Sequence, residues 1–177
     1  MANKSTRKIL TPVGTLSFPK LAEPNEKNKY SCAIVFAPGT DLSELDALIE
    51  EAKETIVPSG VNQKSSAFKV PLQRDGSEKE EYGGPYVEGA RFFECSTNFP
   101  PGIVDAKRQE IINVKEELYP GAQVRLQVHL FYFDNESKGI AFGLDNVQKA
   151  GDGERLDNVQ KAEDVFDEID TSDLTGE

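Results

Sequence analysis

The sequence predicts a mainly β protein: an OB-fold-like Greek-key barrel with one main α-helix, followed by an acidic, disordered C-terminal tail. Three observations carry that expectation. Residues 123–133 and 139–147 alternate apolar and polar side chains around a turn-forming stretch at 134–138, as a β-hairpin does. One segment, beginning at Asp41, carries a convincing apolar stripe at helical spacing. Residues 163–177 hold seven acids, no Lys or Arg and few apolar side chains, a composition too poor in hydrophobic groups to build a core.

Taken in order, Lys4, Arg7 and Lys8 form a basic arm leading into a strand over residues 9–18, and 19–29 is a loop. Residues 30–36 alternate Tyr30, Cys32, Ile34 and Phe36 with Ser31, Ala33 and Val35 until Pro38-Gly39 ends the strand. Asp41 is placed to cap the helix with Glu44 three residues on, while Leu42, Leu45, Leu48, Ile49 and Ala52 make its buried stripe. The outer helix face, with Glu44, Glu50, Glu51 and Glu54, repels DNA and is expected to lie away from any nucleic-acid site. Residues 58–89 form a long loop rich in Gly, Pro, Ser and charge with a short strand-like stretch at 68–72, and such loops are often functional. Residues 91–98 are another strand before Pro100-Pro101-Gly102, and 105–118 fit either a short helix or a strand and turn.

In the hairpin, the strand period sends Val124, Leu126, Val128, Leu130 and Tyr132 inward and Arg125, Gln127, His129, Phe131 and Phe133 to the opposite face. The second strand sends Ile140, Phe142 and Leu144 inward and leaves the small Ala141 and Gly143 outside. Several twisted strands with one helix fit a Greek-key barrel of OB-fold type better than a parallel α/β sheet. The segment Leu144-Asp145-Asn146-Val147-Gln148-Lys149-Ala150 recurs once, at 156–162, as a local duplication outside the core pattern.

A chain of 177 residues suits one domain, 1–150, with a linker and tail at 151–177. The net charge of -11 is unevenly spread: seven of the 31 acids lie in 163–177, so residues 1–162 hold 20 basic against 24 acidic residues and leave room for a local basic groove. No apolar run is long enough to span a bilayer and the start is polar and basic, so neither a membrane partner nor export is expected. Cys32 and Cys95, far apart and each in an apolar segment, read as buried free thiols in a reducing cytoplasm. One histidine and two such cysteines supply neither a nucleophile with its base nor a zinc set, so no catalytic residue, metal or cofactor is expected.

Sequence-tolerant binding of single strands needs cations for phosphates and aromatic faces for bases. The outer hairpin face offers both: Arg125 for phosphate and Phe131 for a base stacked over the flat patch at Ala141 and Gly143, with Gln127 and His129 beside them. Phe92 alternates with Glu94, Ser96 and Asn98 on the neighbouring strand and is expected to be exposed as well. The long loop adds Lys64, Lys69, Arg74 and Lys79 interleaved with Tyr82 and Tyr86, diluted by Glu78, Glu80 and Glu81. Against this, strand aromatics more often serve the core, Phe133 fits a cover for the barrel end, and a lone histidine is more often simply hydrogen-bonded. In the tail, Val165, Phe166, Ile169 and Leu174 punctuate Glu163, Asp164, Asp167, Glu168, Asp170 and Asp173. That pattern suits a short segment that engages a pocket while its carboxylates imitate phosphates, with plain solubilisation as the alternative. A metal-dependent nuclease is the enzymatic alternative, resting on Asp105-Ala106-Lys107 and Glu136-Ser137-Lys138, the second in a predicted turn.

The chain resembles the phage-encoded single-stranded DNA-binding proteins that have an OB-fold and an acidic tail. The likeness runs through Pro71-Leu72-Gln73-Arg74-Asp75-Gly76, Glu81-Tyr82-Gly83-Gly84-Pro85-Tyr86 and Pro101-Gly102-Ile103-Val104-Asp105. It is sharpest in Tyr119-Pro120-Gly121, in Phe131-Tyr132-Phe133-Asp134-Asn135 and in Lys138-Gly139-Ile140-Ala141-Phe142-Gly143-Leu144-Asp145-Asn146-Val147-Gln148, followed by Asp152-Gly153-Glu154. The resemblance implies protection of exposed strands during phage replication or recombination, without catalysis, in the cytoplasm of the infected bacterial host. It also implies a tail that competes with DNA and recruits phage or host replication and recombination proteins. A homodimer stays open, as does a phage structural or interaction protein that ignores DNA, the latter resting on the net acidity. The second Leu-Asp-Asn-Val-Gln-Lys-Ala copy departs from the family pattern, standing where a variable Gly- and Ser-containing linker is expected.

Overall fold

The computed structural model describes residues 5–157 and 165–169. Its strands are β1 (Ile9–Leu10), β2 (Gly14–Lys20), β3 (Tyr30–Phe36), β4 (Phe68–Lys69), β5 (Arg91–Thr97), β6 (Gly102–Val104), β7 (Gln123–Asp134) and β8 (Lys138–Gly151), with helices α1 (Ser43–Thr55) and α2 (Val114–Glu117). β2, β3, β5, β8 and β7 pair in that order and β7 returns to β2, closing a ring. Every pairing in the ring is antiparallel except β5 with β8, which is parallel. That order and that single parallel seam are the Greek-key barrel expected from the sequence. The short strands decorate it: β1 extends the edge of β7, while β4 and β6 run parallel to β8.

The predicted hairpin alternation is what fills the ring. Val124, Leu126, Val128, Leu130, Ile140, Phe142 and Leu144 are all buried, and they meet Leu16, Ile34, Phe36, Phe93 and Cys95 from the facing strands. Phe93 packs on Phe142 with ring centroids 4.1 Å apart and on Phe36 at 6.1 Å. α1 lays Leu45, Leu48, Ile49 and Ala52 on the same core. The helix starts later than the sequence suggests. Asp41 accepts hydrogen bonds from the Ser43 amide at 3.0 Å and the Ser43 hydroxyl at 2.7 Å, making a turn ahead of the helix, so the Asp41–Glu44 capping box does not form. Asp46 on α1 instead takes both arms of the Arg91 guanidinium, at 2.9 and 2.6 Å, and ties the helix to β5.

Cys32 and Cys95 sit directly opposite one another on β3 and β5, buried and free, with Sγ atoms 3.8 Å apart. Their mutual contact, then burial, holds the Cys95 thiol well above its ordinary pKa, so it stays a hydrophobic filler. The undecided stretch 105–118 resolves into a turn, in which Asp105 accepts from the amides of Lys107 and Gln109, followed by the single turn of α2.

β8 does not end in a free linker at residue 150. Gly153 donates its amide to the Tyr119 hydroxyl at 2.9 Å and accepts back through its carbonyl at 2.8 Å, while the Leu156 amide bonds to the Pro120 carbonyl at 2.9 Å. Gly121 and Gly153 lie so close that a Cβ on either would strike backbone of the opposing segment. The Arg155 guanidinium covers the Tyr119 ring at 4.6 Å, with Lys149 at 5.4 Å from the same ring. Residues 152–156 thus latch onto the body. Replacing Phe142, 1% exposed, with alanine is expected to cost about 3–5 kcal/mol in a denaturant titration; a loss below about 1 kcal/mol would remove that ring from the core assigned to it.

Candidate nucleic-acid interface

The outer face of the hairpin is held by a ladder of cross-strand hydrogen bonds, and β8 supplies it from the first copy of the repeat. Gln148 accepts from the Arg125 Nε at 2.6 Å, Asn146 donates to the Gln127 Oε1 at 2.8 Å, and Asp145 Oδ2 lies 2.8 Å from His129 Nδ1. Lys8 approaches the other oxygen of Asp145 at 3.4 Å. The register of β7 against β8 slips by one residue between Gln127 and Val128, which lets Asp145 bulge toward the histidine. Arg125, Gln127 and His129 are therefore positioned side chains with fixed partners.

The flat patch expected at Ala141 and Gly143 is differently used. A Cβ on Gly143 would lie 2.6 Å from the His129 ring, so the imidazole itself fills that patch, and Phe131 stands opposite Ala141 with its centroid 6.3 Å from the imidazole. Beside them opens a cleft of about 380 Å³ lined by Lys29, Asn98, Phe99, His129, Phe131 and Gly143, among others. Phe99 is 76% exposed. The sequence reading missed it, although an aromatic followed by Pro100-Pro101 cannot sit inside a strand and so has reason to face solvent.

The long-loop residues divide. A 3₁₀ segment, Gly76–Tyr82, starts at Asp75, whose carboxylate accepts from the Ser77 amide and hydroxyl and from the Gly89 amide, while Glu78 reaches back to the Asp75 amide. So braced, residues 76–90 fold over the outer side of β3 and β5, where Tyr86 and Ala90 bury Val35 and Phe92 in a second small core. Phe92 and Tyr86 are therefore not the exposed aromatics expected of them: they are 4% and 2% exposed, and the Tyr86 hydroxyl donates to Ser17 at 2.8 Å. Burial raises the Tyr86 pKa. Arg74 and Lys79 lie over the Phe92 ring at 5.3 and 5.1 Å and pair with Glu78 and Glu94. Tyr82 is half exposed and meets Phe18 edge-on at 5.0 Å. Lys69 is exposed on β4, beside the hairpin turn at Lys138 and Gly139.

Of the tail, Val165, Phe166, Asp167, Glu168 and Ile169 are described and exposed. Glu163, Asp164, Asp170 and Asp173 lie outside the described residues, as do residues 158–162 of the second repeat copy. Asp105, one carboxylate of the nuclease alternative, is committed to its turn.

A family model for the single-stranded DNA-binding protein of Enterobacter phage Enc34 matches residues 7–175. The chain belongs to that family. Members of the Enc34 family are binding proteins, not enzymes. The fold agrees: the single-stranded DNA-binding protein of bacteriophage Enc34 superposes with a TM-score of 0.66 at 24% identity, covering 95% of this chain and 89% of that one. Its complex with single-stranded DNA gives 0.67 at 23% identity, over 85% and 89% of the two chains. The single-stranded DNA-binding protein gp2.5 of bacteriophage T7 gives 0.56 at 14%, over 88% and 98%. No curated protein matches the sequence significantly.

The Asp75 brace has a pH signature. Bonds from the Ser77 hydroxyl, then the Ser77 and Gly89 amides, hold its carboxyl below the ordinary 3.8, so its contribution is full above that value and is lost as pH falls through the lower folded pKa. Near-UV circular dichroism of the tyrosines is expected to stay constant from pH 7 to about 5 and to change below about pH 4, with Asp75→Asn showing the change already at neutral pH.

Proposed function

We propose that this chain binds single-stranded DNA without marked sequence preference and protects it during phage replication or recombination in the bacterial cytoplasm. The observation that carries the proposal is the cleft on the outer face of β5, β8 and β7, where Phe99 and Phe131 present rings beside Lys29 and Asn98. Aromatic faces take bases of any identity, and cations at the margin take phosphates. Membership of the Enc34 family and the fold shared with a protein solved together with single-stranded DNA support the same reading. Arg125, whose side chain is exposed and oriented by Gln148, is assigned to the phosphate backbone.

The acidic tail is assigned two finer roles: competing with DNA for the cationic margin, and recruiting replication or recombination proteins through its apolar side chains. Seven carboxylates against a body that holds 20 basic and 24 acidic residues supply the charge for the first, and exposed Phe166 and Ile169 suit the second.

Fluorescence anisotropy with a labelled oligonucleotide tests the reading directly: affinity is expected to fall steeply with salt, and salt-independent binding contradicts a phosphate-tracking face. Phe131→Ala is expected to lose roughly 1–3 kcal/mol of binding with its melting temperature little changed. A chain stopped at Ala162 is expected to bind more tightly than the full chain, most clearly at low salt, where unscreened carboxylates compete best; equal affinities would remove the competitive role from the tail.

A further inference from the structure

Phe18 is a backbone outlier that the face described above does not use. Its φ is +47°, a left-handed value that an aromatic residue adopts only at a cost, and it lies where the β2–β3 register slips between Ser17 and Lys20. The strain does not serve to bury the ring, which stays 48% exposed. It holds the ring edge-on to Tyr82, itself 51% exposed, with Lys79 Nζ 6.0 Å from the Phe18 centroid. Behind the pair, buried Tyr86 is fixed by its bond to Ser17. Between them lies a cleft of about 230 Å³ lined by Ser17, Phe18, Tyr82, Tyr86, Pro120, Leu156 and Asp157. It is smaller than a drug-sized site, largely apolar, and walled by rings, with an ammonium group beside it.

We propose that the cleft between Phe18 and Tyr82 is a second base pocket, separate from the Phe99–Phe131 cleft, and that its far wall is the root of the tail at Leu156 and Asp157. The proposal rests on single-stranded DNA being the ligand. The two clefts share one sheet face: Phe92, under the first cluster, and Ser96, in the lining of the other cleft, lie four residues apart on β5, roughly 13 Å. A DNA strand laid along β5 runs from one cleft toward the other. Leu156 packs on Gly84, where an added Cβ would strike its Cδ2, so a base entering the pocket presses on the point at which residue 156 is anchored to Pro120. DNA occupancy and the seating of the tail root are thereby one equilibrium, and the influence runs both ways.

Phe18→Gly separates this role from a structural one. Glycine adopts the positive φ freely, so the melting temperature is expected to hold or rise, while affinity of the full-length protein for oligo(dT) falls roughly five- to hundredfold. Leu156→Trp, which fills the cleft from the tail side without changing charge, is expected to weaken binding similarly, and the double variant to add little to either. Irradiation of full-length protein on oligo(dT) carrying one 5-iodouracil is expected to attach the base to the peptide containing Phe18 or Tyr82. If Phe131→Ala weakens binding but Phe18→Gly and Leu156→Trp bind as wild type, the pocket is wrong and the DNA reading stands. If the wild-type chain binds no oligonucleotide, both fall.

Discussion

The barrel closes through β8. This strand bonds to β7 along its length, to β5 at the parallel seam, and to β4 and β6 on its flanks, so the outer face exists only once β8 is in register. A slip of one residue would turn Leu144 and Phe142 outward and move Asp145, Asn146 and Gln148 away from the side chains they hold. The bulge at Asp145 lets the same strand serve two periods, apolar groups inward on both sides of it and a polar ladder outward. Register, core and interface are settled by one set of pairings.

Local pattern carried much of this. The hairpin and α1 are encoded by alternation and helical spacing within each segment, and their inward apolar residues pack in the core, whereas β3 and β5 also bury Ala33, Val35 and Phe92 on the opposite face. What escaped was decided by segments distant in sequence. Phe92 has the alternation of an exposed strand residue, and nothing near it announces that residues 76–90 fold back over β5 and bury it. Tyr86 looks like a loop aromatic until Ser17, 69 residues away, takes its hydroxyl. Gly143 reads as a bare patch because its period does not reveal that the ring of His129 lies across it. Phe99 and Phe18 carried weaker signals, a proline pair after one and Pro19 after the other.

Several cations on the outer surface arrive with acidic partners. Arg74 pairs with Glu78, Lys79 with Glu94 and Lys8 with Asp145, at 3.2–3.6 Å. The Arg74–Glu78 pair, exposed on both sides, contributes little to stability, so exchanging its carboxylate for a phosphate costs the fold little. An acidic body can thus keep cations oriented on its surface without a large positive field, which limits indiscriminate attraction to other polyanions.

The latch of Tyr119, Gly121 and Gly153 has a consequence for chain length. All strand pairings of β8 end by Gly151 and the latch follows at once, so the second copy of the repeat begins, at Leu156, beyond the last residue whose register the barrel fixes. An insertion of the same length a few positions earlier, inside β8, would displace its C-terminal pairings with β6 and β7. A change in length beyond the latch leaves every β8 register in place.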